Sequence, residues 1–82
     1  KLVIYSPVEG FITQNSTILV QGETEPESQV SINSQEIKNS EKGQFKEEIS
    51  LAEGVNTITI LVKKKHGKTT TETRHVVYKN KP

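Results

Sequence analysis

The chain has 82 residues and a formal net charge of +1, from 11 basic and 10 acidic side chains. That length holds one domain with a modest core. With no cysteine there is no disulfide framework and no thiol nucleophile or ligand, and no apolar run exceeds the four residues Leu2 to Tyr5, too few for a membrane-spanning helix.

The sequence opens on Lys1-Leu2-Val3-Ile4-Tyr5 with no secretory leader, so it reads as a piece of a longer protein. Any targeting signal or membrane anchor is then expected outside this piece. The first strand is expected over 2–6, closed by Pro7 and Gly10. Ile18 and Val20 alternate in a second strand over 16–22, which Gly22 ends. Glu25-Pro26-Glu27 turns the chain into a third strand over 28–33, where Val30 and Ile32 share a face. Asn33-Ser34 reverses it into a short return strand over 35–38. After a turn at Glu41-Lys42-Gly43, Phe45, Glu47 and Ile49 alternate over 44–50. Ala52-Glu53-Gly54 leads into the clearest strand, 55–64. There Ile58, Ile60 and Val62 point one way while Thr57, Thr59 and Leu61 point the other. Lys65-His66-Gly67-Lys68 then turns into a last strand over 68–79. The module is expected over 1–79, with 80–82 as a linker or frayed end.

Turns recurring at roughly ten-residue spacing, between runs rich in β-branched residues, mark a sandwich or small barrel. The expected fold is all-β: an immunoglobulin-like β-sandwich of about seven strands in two antiparallel sheets. Its core is expected to hold Ile4, Ile18, Val20, Val30, Ile32, Phe45, Ile49, Ile58, Ile60, Val62 and Val76, with Val77 the alternative to Val76 because adjacent valines break the alternation. Tyr5 and Tyr78, near opposite chain ends, are expected to share one end of that core. Asn56, just after the Gly54 turn, is expected to hold the loop through backbone hydrogen bonds.

Charge is unevenly spread. Residues 1–62 hold four lysines against nine glutamates; residues 63–82 hold six lysines and Arg74 against Glu72 alone. Lys63-Lys64-Lys65-His66-Gly67-Lys68 is the one local charge run. Lys63, Lys64, Lys65 and Lys68 are the candidate binding residues, for an anionic glycan, a wall polymer or a protein partner. The plainer reading is a solvated hairpin whose lysines discourage edge-to-edge association. No aromatic interleaves the run, so nucleic acid is not expected. Glu23, Glu25 and Glu27 form the densest acidic cluster, either a weak cation site or a solvated loop. No metal or other cofactor is expected, because two histidines nine residues apart without cysteine do not make zinc spacing. The chain has no aspartate, and His66 and His75 both fall in the last hairpin, so a catalytic triad and an enzyme are not expected. Four aromatics without tryptophan make a sugar platform a minor reading, with Phe11 the one candidate exposed ring. Asn15-Ser16-Thr17 matches a glycosylation acceptor, and no lysine–asparagine cross-linking trio is marked.

An ordered set of segments resembles a known family. These are Glu23-Thr24-Glu25-Pro26 through Val30-Ser31-Ile32-Asn33, then Gly43-Gln44-Phe45, then Leu51-Ala52-Glu53-Gly54-Val55-Asn56-Thr57-Ile58. Together they resemble the bacterial immunoglobulin-like modules related to the non-catalytic B domain of glucodextranase, over almost the whole chain. The resemblance implies a seven-stranded sandwich in a secreted or surface-anchored bacterial protein, found on the outside of the cell. It implies an accessory or spacing role beside neighbouring domains, as a monomeric unit. Two departures stand out. Asn33-Ser34 replaces the family's frequent Asn-Gly, which points to a wider hairpin. Lys64-Lys65-His66-Gly67-Lys68 replaces an often acidic loop, which removes donors for a loop-borne calcium ion.

Overall fold

In a computed structural model, the described residues, 1–38 and 42–80, form eight strands. They are β1 (Val3–Ser6), β2 (Phe11–Thr13), β3 (Thr17–Glu23), β4 (Gln29–Ile32), β5 (Gln35–Ile37), β6 (Gln44–Ser50), β7 (Gly54–Lys63) and β8 (Thr69–Tyr78). A three-stranded sheet runs β1-β3-β6 and a five-stranded sheet runs β2-β8-β7-β4-β5. The seven expected strands all appear, with ends within one residue. The eighth, β2, was not anticipated. It pairs parallel to β8, Phe11 beside Val76 and Thr13 beside Tyr78, so the larger sheet is mixed rather than wholly antiparallel. The expected turn at Glu41-Lys42-Gly43 begins outside the described residues, as do Lys81 and Pro82 of the expected tail.

The core follows the alternation. Ile18 and Val20 of β3, Val30 and Ile32 of β4, Phe45 of β6, Ile58, Ile60 and Val62 of β7, and Val76 of β8 are buried together. Ile4 and Ile49, also expected inside, are partly buried and pack against this cluster with Leu2, Ile37 and Leu51. The same period places Tyr5 outward, because its neighbours Ile4 and Ser6 face in. Tyr5 is 57% exposed, so it shares no core with Tyr78.

Two close approaches demand glycine. A Cβ on Gly22 would lie 2.5 Å from the Val3 carbonyl oxygen and 2.6 Å from the Phe45 ring. One on Gly43 would lie 1.9 Å from the Thr24 carbonyl oxygen, and Gly43 also has φ +87. The Asn33-Ser34 turn is tighter than expected: two residues join β4 to β5, with φ of 50° and 71°. Both lie in the left-handed region that a two-residue hairpin of this hand requires. Asn33 is held there because the Thr59 amide donates to its side-chain carbonyl at 2.9 Å. Asn56 plays its expected part. Its carbonyl oxygen accepts from the Ala52 amide, and its amide donates to the carbonyls of Ala52, Gly54 and Val76.

The molecule is a rod of 47 × 18 × 18 Å. At one pole stand Lys1 and the β3–β4 and β7–β8 loops, joined by ion pairs. At the other, the Lys79 amide donates to the Thr13 carbonyl and the Asn80 amide to the Glu53 carboxylate. Lys1 and Asn80 therefore lie at opposite poles.

Ile60 is fully buried, whereas its neighbour Leu61 is 39% exposed. Ile60→Ala should cost about 2–5 kcal/mol in urea unfolding. Leu61→Ala should cost less than about 1 kcal/mol. The reverse order would contradict the assignment of the two faces of β7.

Candidate functional site

The β7–β8 hairpin closes on backbone bonds, from the Lys64 amide to the Lys68 carbonyl at 2.7 Å and from the Gly67 amide to the Lys64 carbonyl at 2.9 Å. This presents Lys63, Lys65, His66 and Lys68 to solvent and leaves Lys64 half-buried. The β3–β4 loop stands beside it. Lys64 Nζ lies 3.4 Å from Glu25 Oε1, and Lys65 Nζ lies 3.0 Å from Glu27 Oε1. The Lys1 ammonium also bonds Glu25 Oε2. A shallow depression of about 310 Å³ runs between Glu27, Gln29 and the three consecutive lysines. The acidic and basic clusters of the sequence thus meet at one pole and offset each other. Among the described residues, Lys63 and Lys68 make no ion pair and are the part of the basic run left without a counter-charge.

The three clustered glutamates do not converge. Glu23 accepts a hydrogen bond from the Tyr5 phenol at 2.8 Å, while Glu25 and Glu27 engage cations. Among the described residues, no group of three or more His, Asp or Glu side chains is placed to hold a metal ion.

The two histidines are equally separated in role. His66 sits exposed in the hairpin turn. His75 Nδ1 lies 2.8 Å from Glu9 Oε2, an arrangement that in hydrolases orients an imidazole. Here the other Glu9 oxygen accepts the His75 amide at 2.9 Å, and the Gly10 amide donates to the His75 carbonyl at 2.8 Å. The pair is spent on closing the β8 edge just above β2. The His75 amide, then its imidazole, hold the Glu9 carboxyl below its ordinary range.

The sequence reading missed Tyr5 as an exposed ring. It is more exposed than Phe11, which is 43% exposed. The signal was present: placing Ile4 in the core forces Tyr5 outward by period two. Hydrogen bonding to Glu23 raises the Tyr5 pKa, because the carboxylate charge disfavours the phenolate.

A three-stranded sheet packed on a five-stranded one, with no helix among the described residues, defines an immunoglobulin-like module. The model of the family "Glucodextranase, domain B" matches residues 1–80, and the chain belongs to that family. Among solved structures it is similar to the fibronectin(III)-like modules of Clostridium thermocellum CbhA, at a TM-score of 0.70 and 14% identity. That match covers 100% of this chain and 99% of the other. It is also similar to Bacteroides ovatus SGBP-B, from a mixed-linkage glucan utilization locus and solved with a mixed-linkage heptasaccharide. There the TM-score is 0.58 at 19% identity, and the match spans 96% of this chain but 24% of the other. No curated protein matches the chain. No helix among the described residues is long and apolar enough to cross a membrane.

The polar cluster carries its own pH dependence. In the 82-residue chain, where Lys1 carries a free ammonium, that ammonium first, and the Glu25 amide and Lys64 after it, hold the Glu25 carboxyl at about 2 against an ordinary 4.5, with desolvation, second to the ammonium in size, opposing them. A carboxylate with a depressed folded pKa stabilises the fold fully above its ordinary pKa, and that contribution fades as pH falls toward 2. Glu25→Gln should therefore lower the thermal midpoint at pH 5–7 and converge with the parent near pH 2. A constant offset across that range would show that the Glu25 charge contributes nothing to stability.

Proposed function

We propose that this chain is a non-catalytic accessory module that spaces and positions neighbouring domains of a secreted or surface-anchored bacterial protein. The observation that carries the reading is the placement of Lys1 and Asn80 at opposite poles of a 47 Å rod. A module built this way adds its full length to a string of domains and fixes which loops face the domain on each side. Membership of the glucodextranase domain B family and the likeness to fibronectin(III)-like modules support it. The pairing of Glu25 with Lys64, of Glu27 with Lys65 and of Glu9 with His75 is consistent with it, since these side chains are engaged within the module. Domains before and after it in the same chain are its expected partners, on the outside of the cell.

Two copies joined head to tail should lengthen the particle by about the 47 Å of one module in small-angle scattering. A folded-back pair with little gain in maximum dimension would contradict the spacing role.

A second reading is adhesion to an anionic glycan, a cell-wall polymer or a protein partner through Lys63, Lys64, Lys65 and Lys68. What favours it is that Lys63 and Lys68 lack counter-charges among the described residues. Replacing all four lysines with glutamine should weaken retention on an anionic column. The Lys63/Lys68 pair alone should account for most of the loss, because Lys64 and Lys65 are already matched by Glu25 and Glu27. Unchanged retention would remove this reading and leave the first intact.

A further inference from the structure

The outward face of the three-stranded sheet carries a feature that neither the spacing role nor the basic hairpin uses. Tyr5 stands on it with 57% of its surface exposed. Its phenol is tied to Glu23 Oε1 at 2.8 Å, which fixes the ring without covering it. Beside the ring lies a depression of about 310 Å³, lined also by Gln21, Lys38 and Lys46. Gln21 and Lys46 are direct cross-strand partners on β3 and β6, so their side chains stand together on the outer face. Lys38 reaches the same place from the connection between β5 and β6. Among the described residues, neither Lys38 nor Lys46 makes an ion pair.

A fixed aromatic ring, a primary amide and two ammonium groups without an ion pair among the described residues, all around one depression, match one kind of ligand. The apolar C–H face of a pyranose packs on an aromatic ring, and its hydroxyls accept and donate to an amide. A carboxylate on the sugar would satisfy the two ammonium groups. A neutral sugar would leave both cations unused, and an acidic peptide would need the lysines but not the flat ring. We propose that this depression binds an acidic saccharide, a uronate-containing chain, with one sugar stacked on Tyr5 and its carboxylate held by Lys38 and Lys46. The site does not depend on the spacing role, since a module can hold domains apart with or without it.

The test is an amide-resolved NMR titration of the intact 82-residue chain at low ionic strength. Hexagalacturonate is the probe, with cellohexaose and hexaglutamate as comparison ligands. Hexagalacturonate should give saturable shifts at Tyr5, Gln21 and Lys46, and the comparison ligands should not. Tyr5→Ala and the Lys38→Gln/Lys46→Gln pair should each weaken binding on the order of tenfold, the equivalent of losing one good contact. Tyr5→Phe, which keeps the ring, should retain most of the affinity, and so should Lys63→Gln/Lys68→Gln. If Tyr5→Ala fails to fold, the double lysine variant carries the same comparison. Shifts confined to 63–68, equal binding of cellohexaose or hexaglutamate, or full affinity in both the ring and the double lysine variants would overturn the site. None of these outcomes bears on the scattering experiment, so the two readings fail separately.

Discussion

The ladder between β7 and β8 is the constraint around which the rest of the molecule is arranged. Ten residue pairs run from Gly54 opposite Tyr78 to Lys63 opposite Thr69. β7 lies inside the larger sheet, between β8 and β4, and its inward residues Ile58, Ile60 and Val62 are the middle of the core. Because side chains alternate, a slip of one residue would exchange those three for Thr57, Thr59 and Leu61. The register is held at both ends. Asn56 ties the entry of β7 to Ala52, Gly54 and Val76, and Gly67 with φ +91 sits in the turn at the far end. Once this ladder is set, β4 pairs through Val30 with Val62 and Ile32 with Ile60, and the smaller sheet covers the inner face.

Polar groups sit where that cover thins. Thr70, Glu72 and Arg74 share the inward face of β8, opposite Val62, Ile60 and Ile58. They remain only half-buried, and Arg74 pairs with Glu72 at 3.1 Å along the same strand. The core is therefore one-sided about the ladder: β7 supplies Ile58, Ile60 and Val62 to the buried cluster, while β8 contributes only Val76. An ion pair on this flank keeps its access to water and avoids the desolvation cost of a buried one.

Much of this was legible in the residues because period-two alternation is a local property. The strands 44–50 and 55–64 could be placed to within a residue from Phe45-Glu47-Ile49 and Ile58-Ile60-Val62 alone. β2 was not legible for a physical reason. Phe11 and Ile12 are both exposed, so they show no inward face, and their pairing is parallel to a strand 65 residues later in register. The charged pole shows a different limit. Glu27 and Lys65 are 38 residues apart, and nothing local links them. Counting strand reversals would have placed both loops at the same pole, but the distances that offset Lys64 and Lys65 arise only from packing. Tyr5 was misplaced by treating an aromatic as core material, although the parity set by Ile4 already put it outside.

The parallel pairing of β2 with β8 has a consequence for force. A pull between the two poles runs along the strands, drawing the segment that follows β1 one way and the end of β8 the other. The bonds between β2 and β8, with the Gly10–His75 and Thr13–Lys79 contacts at their ends, lie across that line. They are loaded in shear and share the tension, rather than opening one after another as they would if peeled. The Glu9 carboxylate, gripping both the amide and the ring of His75, extends this seam by two side-chain contacts. A three-residue strand that adds little to the core thus lies, with the β1–β3 pairing ahead of it, on the path that tension takes between the poles.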